Sequence, residues 1–229
     1  MTNNPHLSTP VHFLGPSPED IGVATVLIHG RSQQPSDMFA MAERIGLDEM
    51  PYIALEAADK TWYPNRFMAP IADNNPWLDF ALDSITSVLT TLEKMSVKRE
   101  NIVLMGFSQG ACLACEYVYR NADAYGGLIS LTGGLIGPEG TTWSTPRRLA
   151  GTPILLSNGN LDDWVPLRRT TETSQVFKEM GAEEVQLNVF QDRPHLVTDE
   201  EINLARSLLH RLLTSNKIIA RMAYDWRLY

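Results

Sequence analysis

Strand-length apolar runs alternate with helical patterns along nearly the whole chain, and that alternation leaves few folds open. Strands separated by helices pack side by side as a parallel sheet with helices on both faces, an α/β architecture. The runs fall near 23–28, 52–56, 102–106, 127–131, 153–157 and 185–190, with Val11 to Leu14 as an added edge strand. Helices are expected at 36–46, 77–95, 109–121, 167–180 and 199–214, several opening on Ser, Asp or Pro as helix N-termini do. At 229 residues, 44% of them hydrophobic, the chain has the size of one domain able to bury such a sheet. Residues 1–214 are therefore read as a single domain and 215–229 as a C-terminal extension. That extension mixes aromatic with basic residues, which fits packing on the domain, covering a homodimer interface, or trailing as a tail. The connection 132–152, with Gly133, Gly134, Gly137 and Gly140, is expected on the surface and is too short for a separate lid domain, which leaves an open cleft.

One strand ends unusually. Ile102 to Met105 run into Gly106-Phe107-Ser108-Gln109-Gly110, the G-x-S-x-G form of a strand-to-helix turn that presents a serine hydroxyl outward in strained backbone geometry. Glycines two residues either side are needed because a Cβ there collides with the turn. The plainer alternative is a Gly-rich turn with Ser capping a helix. The β-compatible residues before it and the Ala-, Leu- and aromatic-rich stretch 111–119 after it favour the nucleophile.

A net charge of −8 disfavours nonspecific attraction to nucleic acid or anionic lipid, and no basic patch argues otherwise. Met1 to Pro18 carries neither Lys nor Arg nor a signal-length apolar run, and no later window reaches the length of a membrane span, so a cytoplasmic location is the expectation. Cys112 and Cys115 lie three apart on the helix after the serine, where redox pairs seldom sit and where two thiolates cannot complete a zinc site; they read as compact packing residues.

A serine hydroxyl is a weak nucleophile at neutral pH and needs an imidazole to take its proton and a carboxylate to orient that imidazole. Of the two histidines after Ser108, His210 lies within a helical pattern, whereas His195 follows the last predicted strand in a loop at the sheet's carboxyl edge. The loop after strand 153–157 offers Asp162 and Asp163, which position alone does not separate; Asp192 and Asp199 share the histidine's own loop and rank below them. A tetrahedral oxyanion needs two backbone N–H donors. Gln109 supplies one, and the loop His29-Gly30-Arg31-Ser32 after the early strand supplies the other, with His29 a structural turn residue.

With those pieces in place, the chain resembles the phospholipase/carboxylesterase family of α/β-hydrolases, relatives of bacterial carboxylesterases and acyl-protein thioesterases. The resemblance spans roughly residues 20–214 and rests on Leu27-Ile28-His29-Gly30, on Gly106 to Gly110, on the Asn158-to-Pro166 loop and on His195 before a helix. It implies Asp162 as the acid, with Ser108 and His195, and Arg31 as the residue whose N–H joins that of Gln109 in the oxyanion hole. The segment from Thr61 to Phe67, followed by Asn75-Pro76-Trp77, looks like bacterial carboxylesterases that share the His-Gly-Arg turn. On that likeness Trp62, Trp77 and Trp164 are candidates for the substrate pocket, with core anchoring the equal alternative for Trp62 and Trp77. Ser32 and Asn158 depart from the family pattern, where Gly and His are common, and both bear on substrate preference. The implied activity is hydrolysis of small or medium-chain carboxylic esters through an acyl-enzyme, with no metal or organic cofactor. Thioester, lysophospholipid or lactone cleavage by the same triad, and a noncatalytic binding protein on this scaffold, are the alternatives.

Overall fold

A computed structural model of the protein describes residues 3–145, 148–149, 151–182 and 184–225. A seven-stranded sheet organises them, with β1 (Val11–Leu14), β2 (Ala24–Ile28), β3 (Tyr52–Leu55), β4 (Ile102–Phe107), β5 (Gly127–Leu131), β6 (Pro153–Gly159) and β7 (Glu184–Phe190). The order across the sheet is β1-β3-β2-β4-β5-β6-β7. Every pairing is parallel except that of β1 with β3, so the added edge strand is the one that runs against the rest. The central strands are buried on both faces, which explains why they read as continuous apolar runs without alternation.

The helices are α1 (Pro18–Ile21), α2 (Pro35–Ile45), α3 (Ile71–Asn74), α4 (Trp77–Lys94), α5 (Gln109–Arg120), α6 (Leu167–Glu179) and α7 (Asp199–Asp225). They divide the core in two. Val26, Ile28 and Leu104 face α4, α5 and α6, whereas Leu27, Val103 and Met105 face α2 and α7. Alternate strand residues thus enter opposite layers, as the two-residue strand period requires. On α4 the buried positions Leu78, Ala81, Leu82, Ile85, Val88, Leu89 and Leu92 recur every three or four residues, and each such fully buried leucine or isoleucine contributes about 1.5–3 kcal/mol.

Two expectations need correction. The last helix does not stop at 214 but continues to Asp225, because nothing from Asp199 to that point, neither Gly nor Pro, interrupts helix propagation. The connection after β5 is not a surface loop throughout, since Thr132 to Gly137 are buried. Its polar backbone is satisfied from within: Thr173 Oγ1 accepts from the Leu135 N–H at 2.9 Å, a Glu116 carboxylate oxygen accepts from Ile136 N–H at 3.1 Å, and the buried Arg169 guanidinium donates to the Leu135, Gly137 and Pro138 carbonyls. Burial pushes the Glu116 carboxyl up against the pull of its Arg120 partner. Among the described residues no helix is long and apolar enough to cross a membrane.

Candidate active site

Strand β4 delivers Ser108 at φ 54° and ψ −119°, and α5 begins at the next residue. A non-glycine residue held there costs on the order of 1–3 kcal/mol, so the surroundings must enforce it. They do so by leaving no other path for the chain. A Cβ on Gly106 would lie 2.5 Å from the Ala111 backbone nitrogen, and one on Gly110 would press into the Ile28 carbonyl and lie 2.6 Å from that of His29. Ser108 N–H donates to the Leu131 carbonyl at 3.0 Å, which ties the turn to β5.

His195, on the loop after β7, reaches Ser108 from the other side. Its Nε2 is 2.8 Å from Ser108 Oγ, and its Nδ1 is 2.8 and 3.0 Å from the two carboxylate oxygens of Asp162. The carboxylate fixes the tautomer: Nδ1 donates to Asp162, leaving Nε2 to accept the serine proton. Asp162 is held in turn, since its Oδ1 accepts backbone N–H bonds from Trp164 at 2.9 Å and Val165 at 2.8 Å. Burial works against its charge, but the bonds from His195 and Val165 outweigh burial and keep the carboxyl below its ordinary value. The neighbouring aspartate that position could not separate, Asp163, is exposed. Asp199 instead pairs with Arg44, and His210 is exposed on α7.

Residues that sequence reasoning did not single out hold this second wall. Arg193, two positions before the histidine, is 4% exposed, and its Nη2 lies 3.2 Å from an Oε1 of the fully buried Glu201 as an ion pair. Its Nη1 donates to the carbonyls of Pro194 and Leu196, on either side of His195. Burial pulls the Arg193 guanidinium below its ordinary value against the attraction of Glu201 and Asp162. Glu201 also accepts from Ser157 Oγ at 2.5 Å and from Thr198 N–H at 2.8 Å, which joins β6, the histidine loop and the start of α7. Asn158, read as a departure bearing on substrate preference, is buried away from the cleft. Its Nδ2 donates to the Val165 carbonyl and to Thr170 Oγ1, pinning the acid loop to α6.

The loop after β2, the candidate oxyanion loop, runs His29 to Ser32. His29 is buried, and because Ala57 N–H donates to its Nε2, its Nδ1 carries the proton and donates to the Gly30 carbonyl at 2.7 Å. Burial lowers its pKa, so it is a neutral structural residue. Gln109 is the first residue of α5, where a backbone N–H has no helical acceptor. Beyond its backbone, its side chain clamps the adjacent loop, accepting from Trp62 N–H at 3.0 Å and donating to the Tyr63 carbonyl at 2.8 Å. The Arg31 guanidinium ties down the same loop by donating to the carbonyls of Tyr63, Pro64 and Asn65. Ser32 sits at φ 62°, in the left-handed region that glycine adopts without strain.

These loops enclose a cleft of about 390 Å³ that opens on Ser108 and His195, with Arg31, Tyr63, Phe67, Phe107, Trp164 and Val165 among its walls. Of the three candidate pocket tryptophans only Trp164 lines it, 64% exposed at the mouth with its ring 6.3 Å from that of His195. Trp62 is fully buried, its indole N–H donating to the His29 carbonyl, and Trp77 packs on His6 and Phe80 behind the loop. Both anchor the loop instead of facing a substrate. His6 braces it from the N-terminal segment, accepting from Ala58 N–H through Nδ1 and donating from Nε2 to the Trp62 carbonyl. Cys112 and Cys115 are free and buried, and burial pushes the Cys112 thiol up to about 12. Among the described residues no group of three or more His, Cys, Asp or Glu side chains is arranged to hold a metal ion.

A crystal structure of a phospholipase/carboxylesterase from Dyadobacter fermentans superposes with a TM-score of 0.82 at 37% identity, covering 87% of this chain and 95% of that one. The Bacillus cereus carboxylesterase shares the fold, with a TM-score of 0.69 at 18% identity over 92% of this chain and all of the other. Acyl-protein thioesterase 1 of Emericella nidulans is 26% identical over 133 residues, covering 57% of this chain and 56% of that protein. The Saccharomyces cerevisiae protein of the same name is 24% identical over 141 residues, covering 60% and 62%. The matched region thus spans little more than half the length of these curated relatives. The sequence pattern of the family described as Phospholipase/Carboxylesterase matches residues 19–213, from before β2 to the middle of α7, and the chain belongs to that family of α/β-hydrolases.

Proposed function

We propose that the protein is a serine hydrolase that cleaves carboxylic esters of small or medium acyl chains. The observation that carries the reading is the unbroken chain of hydrogen bonds from Ser108 Oγ through His195 to Asp162, set on a strained turn at the floor of a cleft. In the first step His195 Nε2 takes the Ser108 proton as Oγ attacks the substrate carbonyl, and Asp162 stabilises the imidazolium that forms. The backbone N–H groups of Arg31 and Gln109 receive the oxyanion. Collapse of the tetrahedral species breaks the bond to the leaving oxygen, which takes the proton from His195, and leaves Ser108 acylated. Water then attacks the acyl-enzyme with His195 again accepting a proton, which returns to Ser108 as the carboxylic acid departs. The residues used require no metal or organic cofactor.

Thioesters belong to the same chemistry, since an acyl group reaches Ser108 equally from a thiol, and the relatives named acyl-protein thioesterase favour including them. The test is hydrolysis of a chain-length series of p-nitrophenyl esters and the matching thioesters by purified protein. Ser108→Ala is expected to lower kcat by about 10⁴-fold or more while the protein stays folded. Asp162→Asn is expected to cost far more turnover than Asp163→Asn, and the reverse order would refute the assignment of the acid. Folded wild-type protein that neither turns over any substrate nor labels with a fluorophosphonate probe would refute the hydrolase.

A further inference from the structure

The cleft beside Ser108 is lined by two cations, Arg31 and Arg66, and by no carboxylate among its described residues. That is unexpected in a chain with 27 Asp and Glu against 19 Lys and Arg. Asp162 does not fill the gap, because it stands behind His195 with its oxygens taken by the imidazole and two backbone N–H groups. Most other described arginines are matched to acids: Arg44, Arg99, Arg120, Arg168, Arg169, Arg193 and Arg211 each form an ion pair, while Arg206 is held by the Arg44 and Ile45 carbonyls and the Asn203 side chain. Arg31 spends its donors on three neutral carbonyls, which hold the side chain without cancelling its charge.

Arg66 is the more telling of the two. Its backbone is fixed, since its carbonyl accepts from Asn74 Nδ2 at 3.1 Å and from Ala69 N–H at 3.0 Å. The neighbouring Asn65 is anchored as well, its N–H donating to Asn74 Oδ1 at 2.8 Å. Its guanidinium, by contrast, is exposed and has no hydrogen bond or ion pair among the described residues. A pinned backbone therefore carries an unspent planar fork to the cleft, whose lining holds a second cation and no carboxylate. Such a fork matches the geometry of a carboxylate and the shared positive field favours an anion there.

Resting on the hydrolase reading above, we infer that the preferred substrate is an ester bearing a carboxylate, such as a monoester of a short dicarboxylic acid, whose charged end docks on Arg66 while its ester carbonyl sits at Ser108. Arg31 adds to the field, and Arg66 acts on specificity. A cleft of about 390 Å³ suits an ester of this size, near the lower end of small-ligand sites.

The experiment compares three esters of similar size in a pH-stat at pH 7.5: neutral ethyl butyrate, monoethyl succinate with the charge on the acyl side, and carboxymethyl butyrate with the charge on the alcohol side. Wild-type protein is expected to prefer one charged ester over the neutral one by about two- to fivefold in kcat/KM, the scale of an exposed ion pair, and to lose that preference as salt is raised. Arg66→Gln is expected to remove most of that preference, chiefly through KM. Lys98→Gln, which removes the same charge at the opposite end of the sheet, should leave the ratio where it is. Selectivity confined to one charged ester identifies which side of the scissile bond faces Arg66. Equal kcat/KM for charged and neutral esters, or a ratio indifferent to Arg66→Gln, overturns the inference while leaving the hydrolase standing. Failure to turn over even the neutral ester, with no fluorophosphonate labelling, overturns both.

Discussion

The two walls that meet at the Ser108–His195 hydrogen bond are built by different means. The Ser108 wall is contiguous in sequence, and steric exclusion shapes it: Gly106 and Gly110 let two backbones approach where any Cβ would forbid it. The wall that carries Asp162 and His195 is assembled from β6, the loop after β7 and the start of α7, and polar groups buried far apart in sequence stitch it together. Close packing has one solution and fails abruptly. A polar network fails by degrees, according to which partner is left unsatisfied.

The largest effect belongs to the steric wall. Gly110→Ala forces a methyl group against the Ile28 and His29 carbonyls, which are backbone atoms that cannot swing aside. A loss of about 3–5 kcal/mol in urea unfolding, or failure to fold, is expected. A change under about 1 kcal/mol would show that the turn is not sterically determined.

Next comes the buried pair of the polar wall. Glu201→Gln leaves the Arg193 charge without its counterion and should cost about 3 kcal/mol together with a fall in kcat. Replacing both partners, Arg193→Met with Glu201→Leu, is expected to restore much of the stability but not the kcat, because the contacts flanking His195 are gone. Recovery of both would mean that the pair serves stability alone.

Acid should expose the histidines that anchor the loop between the walls. Burial lowers the folded pKa of both His6 and His29, so below about 6.5 the unfolded chain binds protons that the folded protein refuses. The stability they contribute is complete above that pH and is lost as pH falls through their lowered folded values. Asp162, also lowered, adds a further loss in the carboxylate range. Unfolding free energies measured from pH 8 to 2 should therefore decline in two stages, the histidine stage below about 6.5 and the Asp162 stage below about 4, and a flat course down to pH 5 would contradict the neutral assignment of His6 and His29.

The smallest effect is at Ser32. Glycine suits its φ of 62°, so Ser32→Gly should leave stability unchanged or raise it by about 0.5 kcal/mol, the relieved strain being partly offset by a freer unfolded chain. A loss above about 1 kcal/mol would mean that the hydroxyl has a role beyond the turn.

Period and local sterics account for what was legible in the chain itself. The strand and helix pattern, the serine turn from Gly106 to Gly110, and His195 ahead of His210 follow from alternation, from glycine spacing and from the order in which strands deliver their loops, all properties of neighbouring residues. Position alone left Asp162 and Asp163 equivalent and the family resemblance pointed to Asp162; the fold turns that residue toward His195 and leaves Asp163 exposed. Tryptophan is at home both in a core and in a pocket, so only the packed loop separated Trp62 and Trp77 from Trp164. The buried Arg193–Glu201 pair and the three-carbonyl grip of Arg169 escaped the sequence reading because Arg and Glu are ordinarily surface residues. What makes them interior is the company of backbone groups brought together only when β6, β7, α6 and α7 close on the sheet, and pairing across such separations leaves no local pattern to read.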